Sequence, residues 1–204
     1  MSNKYNILSI GICGLIGSGK SESIKFFKTK NISTFDLDLE AKKLLKKNTS
    51  SYKKIKKEFG ASILNRNSTI NKKKLRSIVF YNKRKRTTLN KIIHPQLIQR
   101  VKEIIKKKRN SKESIVVFEG ALISKNKSMG KLLDLIIYIH APKKILINRI
   151  MKRDSIDKKT AFNLINMQKE VEKNRNTADF VINNGKNLQS LKSQLRSLLD
   201  NLSY

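Results

Sequence analysis

The chain's 204 residues, 38% hydrophobic and 30% charged, supply one ordinary domain with a sizeable core, or a core carrying small inserted modules, and are too apolar for a disordered chain. One Cys, two His, 8 Gly and 2 Pro exclude an internal disulfide, an all-Cys or His-rich metal cluster and a Pro- or Gly-rich linker. Lys and Arg number 46 against 15 Asp and Glu, a formal net charge of +31, which either invites a partner dense in phosphates or reflects a bias in composition.

In chain order, the first element is the short apolar run Ile7–Cys13, which reads as a strand buried on both faces. With Lys4 ahead of it the run faintly resembles a secretory leader. It is too short, however, and Ile12 stands where cleavage before Cys13 would want a small residue. No segment is long enough to span a bilayer, and the lone thiol suits a reducing compartment, so a cytoplasmic protein without a membrane partner is expected. Gly14 to Ser21 matches G-x-x-x-x-G-K-[ST] at every fixed position and opens a helix with Ile24 and Phe27 on one face. Ser33–Phe35 is a second strand, followed at once by Asp36-Leu37-Asp38. Tyr52 to Arg109 holds no convincing strand and reads as several helices, Leu97, Ile98, Val101, Ile104 and Ile105 keeping one face apolar. Ile115–Phe118 and Leu135–Ile139 are further strands, Lys143 to Asn176 is helical, Phe180–Ile182 is the last strand, and Leu188, Leu191, Leu195, Leu198, Leu199 and Leu202 stripe the final helix.

This alternation predicts an α/β fold, a P-loop NTPase-type parallel sheet of about five strands flanked by helices. The core occupies about residues 5–50, 110–142 and 177–204, interrupted by a helical insertion at about 51–109 and a helical lid at about 143–176, where substrate modules and closing segments sit in such folds.

The strand–loop–helix context gives the phosphate loop its chemistry. Glycines let the backbone N–H groups wrap round phosphates, and the helix N-terminus adds partial positive charge. Lys20 can reach the β- and γ-phosphates of ATP, and the Ser21 hydroxyl can serve Mg²⁺. If the chain stays extended past Phe35, Asp36 and Asp38 point to one side, at the strand ends where the ligand crevice of an open parallel sheet lies. A carboxylate there can take a proton from an attacking hydroxyl or hold Mg²⁺ through water; an Asp before Leu39-Glu40-Ala41 can equally cap a helix. For Asp36 a helix cap or a water-mediated metal role stands level with catalysis; for Asp38 catalysis is expected. Neither Asn126-Lys127-Ser128-Met129 nor Asn82-Lys83-Arg84-Lys85 completes the N-K-x-D base-reading motif of GTPases, and the strand Ile115–Phe118 ends in Glu119, not Asp; a small-molecule kinase fits better than a GTPase or motor ATPase. Arg149 and Arg153, four apart on one helical face, suit the charge on a transferring phosphoryl group.

From these motifs the chain resembles the dephospho-CoA kinase family nearly end to end. The match runs through Gly14–Ser21, Asp36-Leu37-Asp38 with Ala41, Phe59-Gly60-Ala61, Leu75-Arg76 with Val79-Phe80, His94-Pro95, Pro142, the R-x-x-x-R-D run Arg149–Asp154, Gln168, and Ala178-Asp179-Phe180-Val181-Ile182-Asn183-Asn184-Gly185. The resemblance implies phosphoryl transfer from ATP, with Mg²⁺, to the ribose 3′-hydroxyl of dephospho-CoA, with the insertion holding the acceptor. By position it implies Asp38 as general base, and Gly14, Gly17, Ser18, Gly19, Lys20, Ser21 and the backbone of Glu22 on the ATP phosphates. Arg149 and Arg153 would act from the lid, Arg76, His94 and Pro95 at the acceptor pocket, and Asn184 and Gly185 near the ATP base. The chain departs from the family at Cys13, usually a hydroxyl residue, at Glu22, usually Thr or Ser, and at Gly120-Ala121-Leu122, which lacks the family's proline.

Two other readings compete. One is a different small-molecule or nucleoside monophosphate kinase. The other is a basic nucleotide-dependent nucleic-acid-binding protein. Against the latter, Lys outnumbers Arg 36 to 10, and 26 Ile and 20 Asn stand beside 6 Ala, as A- and T-rich codons alone would give. The basic residues spread from Lys25 to Lys192, and Tyr52, Phe59, Phe80 and Tyr81 form no stacking series. No specific nucleic-acid partner is expected.

Overall fold

The computed structural model describes residues 7–121 and 123–202. Lys4, the ends of the expected core before residue 7 and after residue 202, and Leu122 of the altered loop lie outside the described residues. Five strands form one sheet in the order β2-β3-β1-β4-β5: β1 (Leu8–Cys13), β2 (Ser33–Asp36), β3 (Ile115–Glu119), β4 (Leu135–His140) and β5 (Phe180–Asn183). The pairs β1·β3, β1·β4 and β4·β5 are parallel, with Ile12 opposite Glu119 and Ile137, and Ile139 opposite Ile182. All five apolar runs of the sequence are strands, and the sheet has the expected parallel form.

The chain divides into two compact units, Asp36–Ile104 and the remainder. In the sheet unit, the interior strands β3, β1 and β4 carry most of the apolar residues, as strands buried on both faces require. Ile10, Ile12, Val117, Ile137, Ile139 and Ile182 pack with Phe26 and Phe27 of α1 (Lys20–Thr29) and with Leu191, Leu195, Leu198 and Leu199 of α9 (Leu188–Leu202). A second cluster forms beside the phosphate loop. The loop's own Leu15 is buried with Ala141, with Leu146, Ile147 and Ile150 of α6 (Lys143–Asp154), Ala161 and Ile165 of α7 (Lys158–Asn166), and Val171 of α8 (Lys169–Lys173). Residues 143–176 are therefore helical, as expected, and one face of them is core.

The unit Asp36–Ile104 is helical: α2 (Leu37–Leu44), α3 (Ser50–Phe59), α4 (Lys72–Tyr81) and most of α5 (Lys83–Asn110). Its core gathers Tyr52, Ile55, Ile63, Ile70 and Leu75. Thr49 and Asn71 cap α3 and α4 through their side-chain oxygens, satisfying N–H groups that the first turn leaves without partners. Glu40, almost fully buried on α2, pairs with Lys43 at 2.5 Å and with Arg100 of α5 at 3.0 Å. This unit contains most of the expected insertion at 51–109 and takes in α2 as well. Among the described residues no helix is long and apolar enough to cross a membrane.

Candidate active site

β1 delivers the chain into Gly14, and α1 carries it away from Gly19. Both glycines are required by close approach. At Gly14, with φ +148°, a Cβ would lie 2.4 Å from the Ile139 carbonyl oxygen; at Gly19, with φ +106°, it would lie 2.1 Å from Asn184 Nδ2. A side chain at either position would collide with a neighbouring strand or with the segment after β5. Because Gly19 has no side chain, the N-terminus of α1 carries no side-chain cap; its first N–H groups and the positive end of the helix dipole are left for an anion. Ser18 is 1% exposed, and among the described residues its Oγ has no hydrogen-bond partner, an arrangement that a phosphate oxygen beside it would satisfy. Lys20 Nζ donates to the carbonyls of Gly14 at 3.0 Å and Leu15 at 3.1 Å, so its ammonium is held inside the loop's curve. These features fit a nucleotide polyphosphate.

Three side chains from distant parts of the sequence hold the loop. Asn184, buried just past β5, donates from Nδ2 to the Ser18 carbonyl at 2.7 Å while its N–H donates to His140 O at 2.7 Å. Arg149 of α6 reaches Gly17 O at 3.4 Å, and Asn184 Oδ1 and Lys186 O at 3.5 Å. Gln168, between α7 and α8, accepts the Ile16 N–H at Oε1, 2.9 Å. Gly185 packs on the start of α6, its Cβ position 3.2 Å from Pro142 Cδ. Arg153, expected beside Arg149, is instead exposed and forked onto Asp154 at 2.7 Å for both bonds. The Glu22 side chain pairs with Lys25, and Ser21 is exposed in the first turn of α1. Cys13 is fully buried, and burial, opposed by the nearby Lys20 charge, pushes its thiol up to about 12.

The remaining expected residues belong to the Asp36–Ile104 unit. The chain does not stay extended past Asp36: α2 begins at Leu37, and Asp36 Oδ1 accepts the N–H groups of Asp38 at 2.7 Å and Leu39 at 3.1 Å. The two carboxylates therefore do not alternate along one edge; Asp36 caps the helix and Asp38 is exposed on its first turn. Arg76 on α4, and His94 and Pro95 inside α5, are exposed. Gln168 entered the sequence reading only within the resemblance, without a role. Its partner lies 152 residues away, and no local signal could have found the contact.

A phosphate loop closing the central strand of a five-stranded parallel sheet, with an arginine from a following helix over it, defines the class of the P-loop kinases. The dephospho-CoA kinase family model matches residues 8–190. The chain is 34% identical over 200 residues to the dephospho-CoA kinase of Bacillus licheniformis, covering 96% of this chain and 97% of that one. It is 36% identical over 186 residues to that of Fusobacterium nucleatum, at 91% and 94% coverage. A solved dephospho-CoA kinase from Campylobacter jejuni superposes with a TM-score of 0.71 over 96% of both chains at 24% identity, which bears on the fold. The chain belongs to the dephospho-CoA kinase family and is an ATP-dependent kinase of that family.

Proposed function

We propose that this chain transfers the γ-phosphoryl group of Mg²⁺-bound ATP to the ribose 3′-hydroxyl of dephospho-CoA, giving CoA and ADP. The observation that carries it is the uncapped N-terminus of α1 with the partnerless Ser18 Oγ beside it, in a chain whose family matches along residues 8–190. In this reading the loop amides from Gly17 to Glu22 and the Lys20 ammonium hold the β- and γ-phosphates. Arg149, already on the loop carbonyls, meets the charge on the transferring group, and Arg153 joins it by leaving Asp154. Asn184 and Gly185 form the floor under the nucleotide base.

Asp38 takes the proton of the attacking hydroxyl as its oxygen bonds to the γ-phosphorus and the bond to ADP breaks. Arg76, His94 and Pro95 line the acceptor side, with the helical insertion of about 51–109 holding dephospho-CoA and residues of about 143–176 closing as a lid. The Ser21 hydroxyl and, through water, Asp36 would hold the Mg²⁺ of Mg²⁺-ATP, which would offset charge on the phosphates. In this reading the enzyme works in the cytoplasm.

The test is ADP release from Mg²⁺-ATP with dephospho-CoA, beside a panel of nucleoside monophosphates and an Asp38→Asn variant. Turnover with dephospho-CoA alone is expected, reduced about a hundredfold or more in the variant, the usual cost of losing a general base. Turnover with a nucleoside monophosphate instead would overturn the acceptor, and full activity of Asp38→Asn would overturn the base.

A further inference from the structure

One loop contact is absorbed by none of the roles above. The Ile16 N–H points out of the loop's curve to Gln168 Oε1 at 2.9 Å, while the carbonyl of the same peptide unit, Leu15 O, accepts from Lys20 Nζ and from Ser18 N–H, each at 3.1 Å. A peptide unit is planar, so its N–H and C=O point in opposite directions. Whatever fixes one end aims the other. Gln168 is itself fixed from both sides: its N–H donates to Ile165 O at 2.9 Å, and its carbonyl accepts from Val171 at 2.9 Å and Glu172 at 3.1 Å. Ile165 and Val171 are buried in the cluster that also buries Leu15. The glutamine is thus mounted on a packed helix junction that includes part of the loop it touches.

We infer that Gln168 is a positioning residue for the phosphate loop: by holding the Ile16 N–H it locks the Leu15–Ile16 peptide plane, aims the Leu15 carbonyl at Lys20, and keeps the loop preshaped for the nucleotide. The acceptor oxygen does this work, so a carboxylate in its place restores it and a truncated side chain does not. The lock acts on ATP and leaves the acceptor alone. It rests on the proposed function only in taking ATP as the ligand, and nucleotide binding can be read without any phosphoryl transfer.

The experiment compares the full-length protein with Gln168→Ala and Gln168→Glu. It measures affinity for a non-hydrolysable Mg²⁺-ATP analogue by calorimetry, steady-state KM for ATP and for dephospho-CoA, and thermal midpoint. In Gln168→Ala, nucleotide affinity is expected to fall roughly five- to tenfold, the scale of one lost hydrogen bond. KM for ATP should rise in parallel, KM for dephospho-CoA should hold, and Gln168→Glu should recover most of the loss. Unchanged nucleotide affinity in Gln168→Ala overturns the inference, as does an equal rise in both KM values or a lowered thermal midpoint as the sole effect. So does failure of Gln168→Glu to recover affinity while its thermal midpoint matches the parent. If dephospho-CoA proves not to be the acceptor, the calorimetric arm still decides the role of Gln168.

Discussion

At the scale of single residues, the phosphate loop turns at positions with no room for a side chain. Gly19 adopts φ +106°, which an L side chain rarely takes, and a Cβ there would meet Asn184 Nδ2 at 2.1 Å. Gly19→Ala therefore displaces the side chain that grips Ser18 O and strains the backbone at the head of α1, a cost of about 1–3 kcal/mol. ADP release should fall by at least tenfold and the thermal midpoint should drop; an active, fully stable variant would mean that the loop re-forms around the methyl group. Cys13, in contrast, is inert. Its thiol is pushed up to about 12, first by burial and against the pull of Lys20, so almost no thiolate exists at neutral pH. Iodoacetamide at pH 8 should leave Cys13 unmodified in the native protein and alkylate it in urea, as read by mass spectrometry.

The local part of this site was legible in the sequence because the phosphate loop is a contiguous strand–loop–helix. Asp36 and Asp38 show the opposite case. Two readings of the same three residues, extended edge or helix cap, differ only in where the strand stops, and the Asp36 cap at 2.7 and 3.1 Å decides for the helix. The contacts of Arg149, Gln168 and Asn184 with the loop span 132 to 166 residues. They exist only once the strands are ordered, so residue spacing could not reveal them.

At the scale of elements, periodicity located every strand within a residue at each end. The ladder runs one position past the apolar run, into Asp36, Glu119, His140 and Asn183, because backbone pairing does not require an apolar side chain while burial does. Polar side chains at these strand ends are what such a sheet presents to a ligand. In the Asp36–Ile104 unit the ion pair between α2 and α5 makes an element-level prediction. Glu40 is 3% exposed; burial raises its pKa, but hydrogen bonds from Lys43 and Arg100 and their charges outweigh it, so the net shift is downward. A depressed carboxylate contributes stability that is fully present above its unfolded value, near 4.5, and that is lost as pH falls through the folded value. Glu40→Gln should lower the unfolding free energy read from urea denaturation at pH 7 by about 1–3 kcal/mol, the scale of a charge-assisted bond. Parent and variant should converge as the pH is taken below 4. A gap that persists at low pH would assign the loss to packing instead of charge.

At the scale of the whole molecule, the +31 charge has to be tolerated by the fold as well as by any partner. Several ion pairs among the described residues are exposed on both sides, such as Lys25–Glu22 and Lys173–Glu170, with side chains 40% to 72% exposed, and pairs of that kind are worth little. Self-repulsion among the remaining cations is expected to outweigh them, and it acts over the Debye length, which falls from about 30 Å at 0.01 M salt to about 8 Å at 0.15 M. Raising sodium chloride across that range should raise the thermal midpoint, because screening removes more repulsion than attraction. A midpoint that falls with salt would show that the ion pairs dominate. The same titration separates composition from function. A surface that is basic through its codons binds RNA by counterion release alone, so anisotropy of a labelled mixed-sequence RNA should decline linearly in log affinity against log salt, without sequence preference. Binding that persists at 0.5 M salt, or that prefers one sequence, would make the charge a recognition surface and give the basic helices a partner beyond the nucleotide and its acceptor.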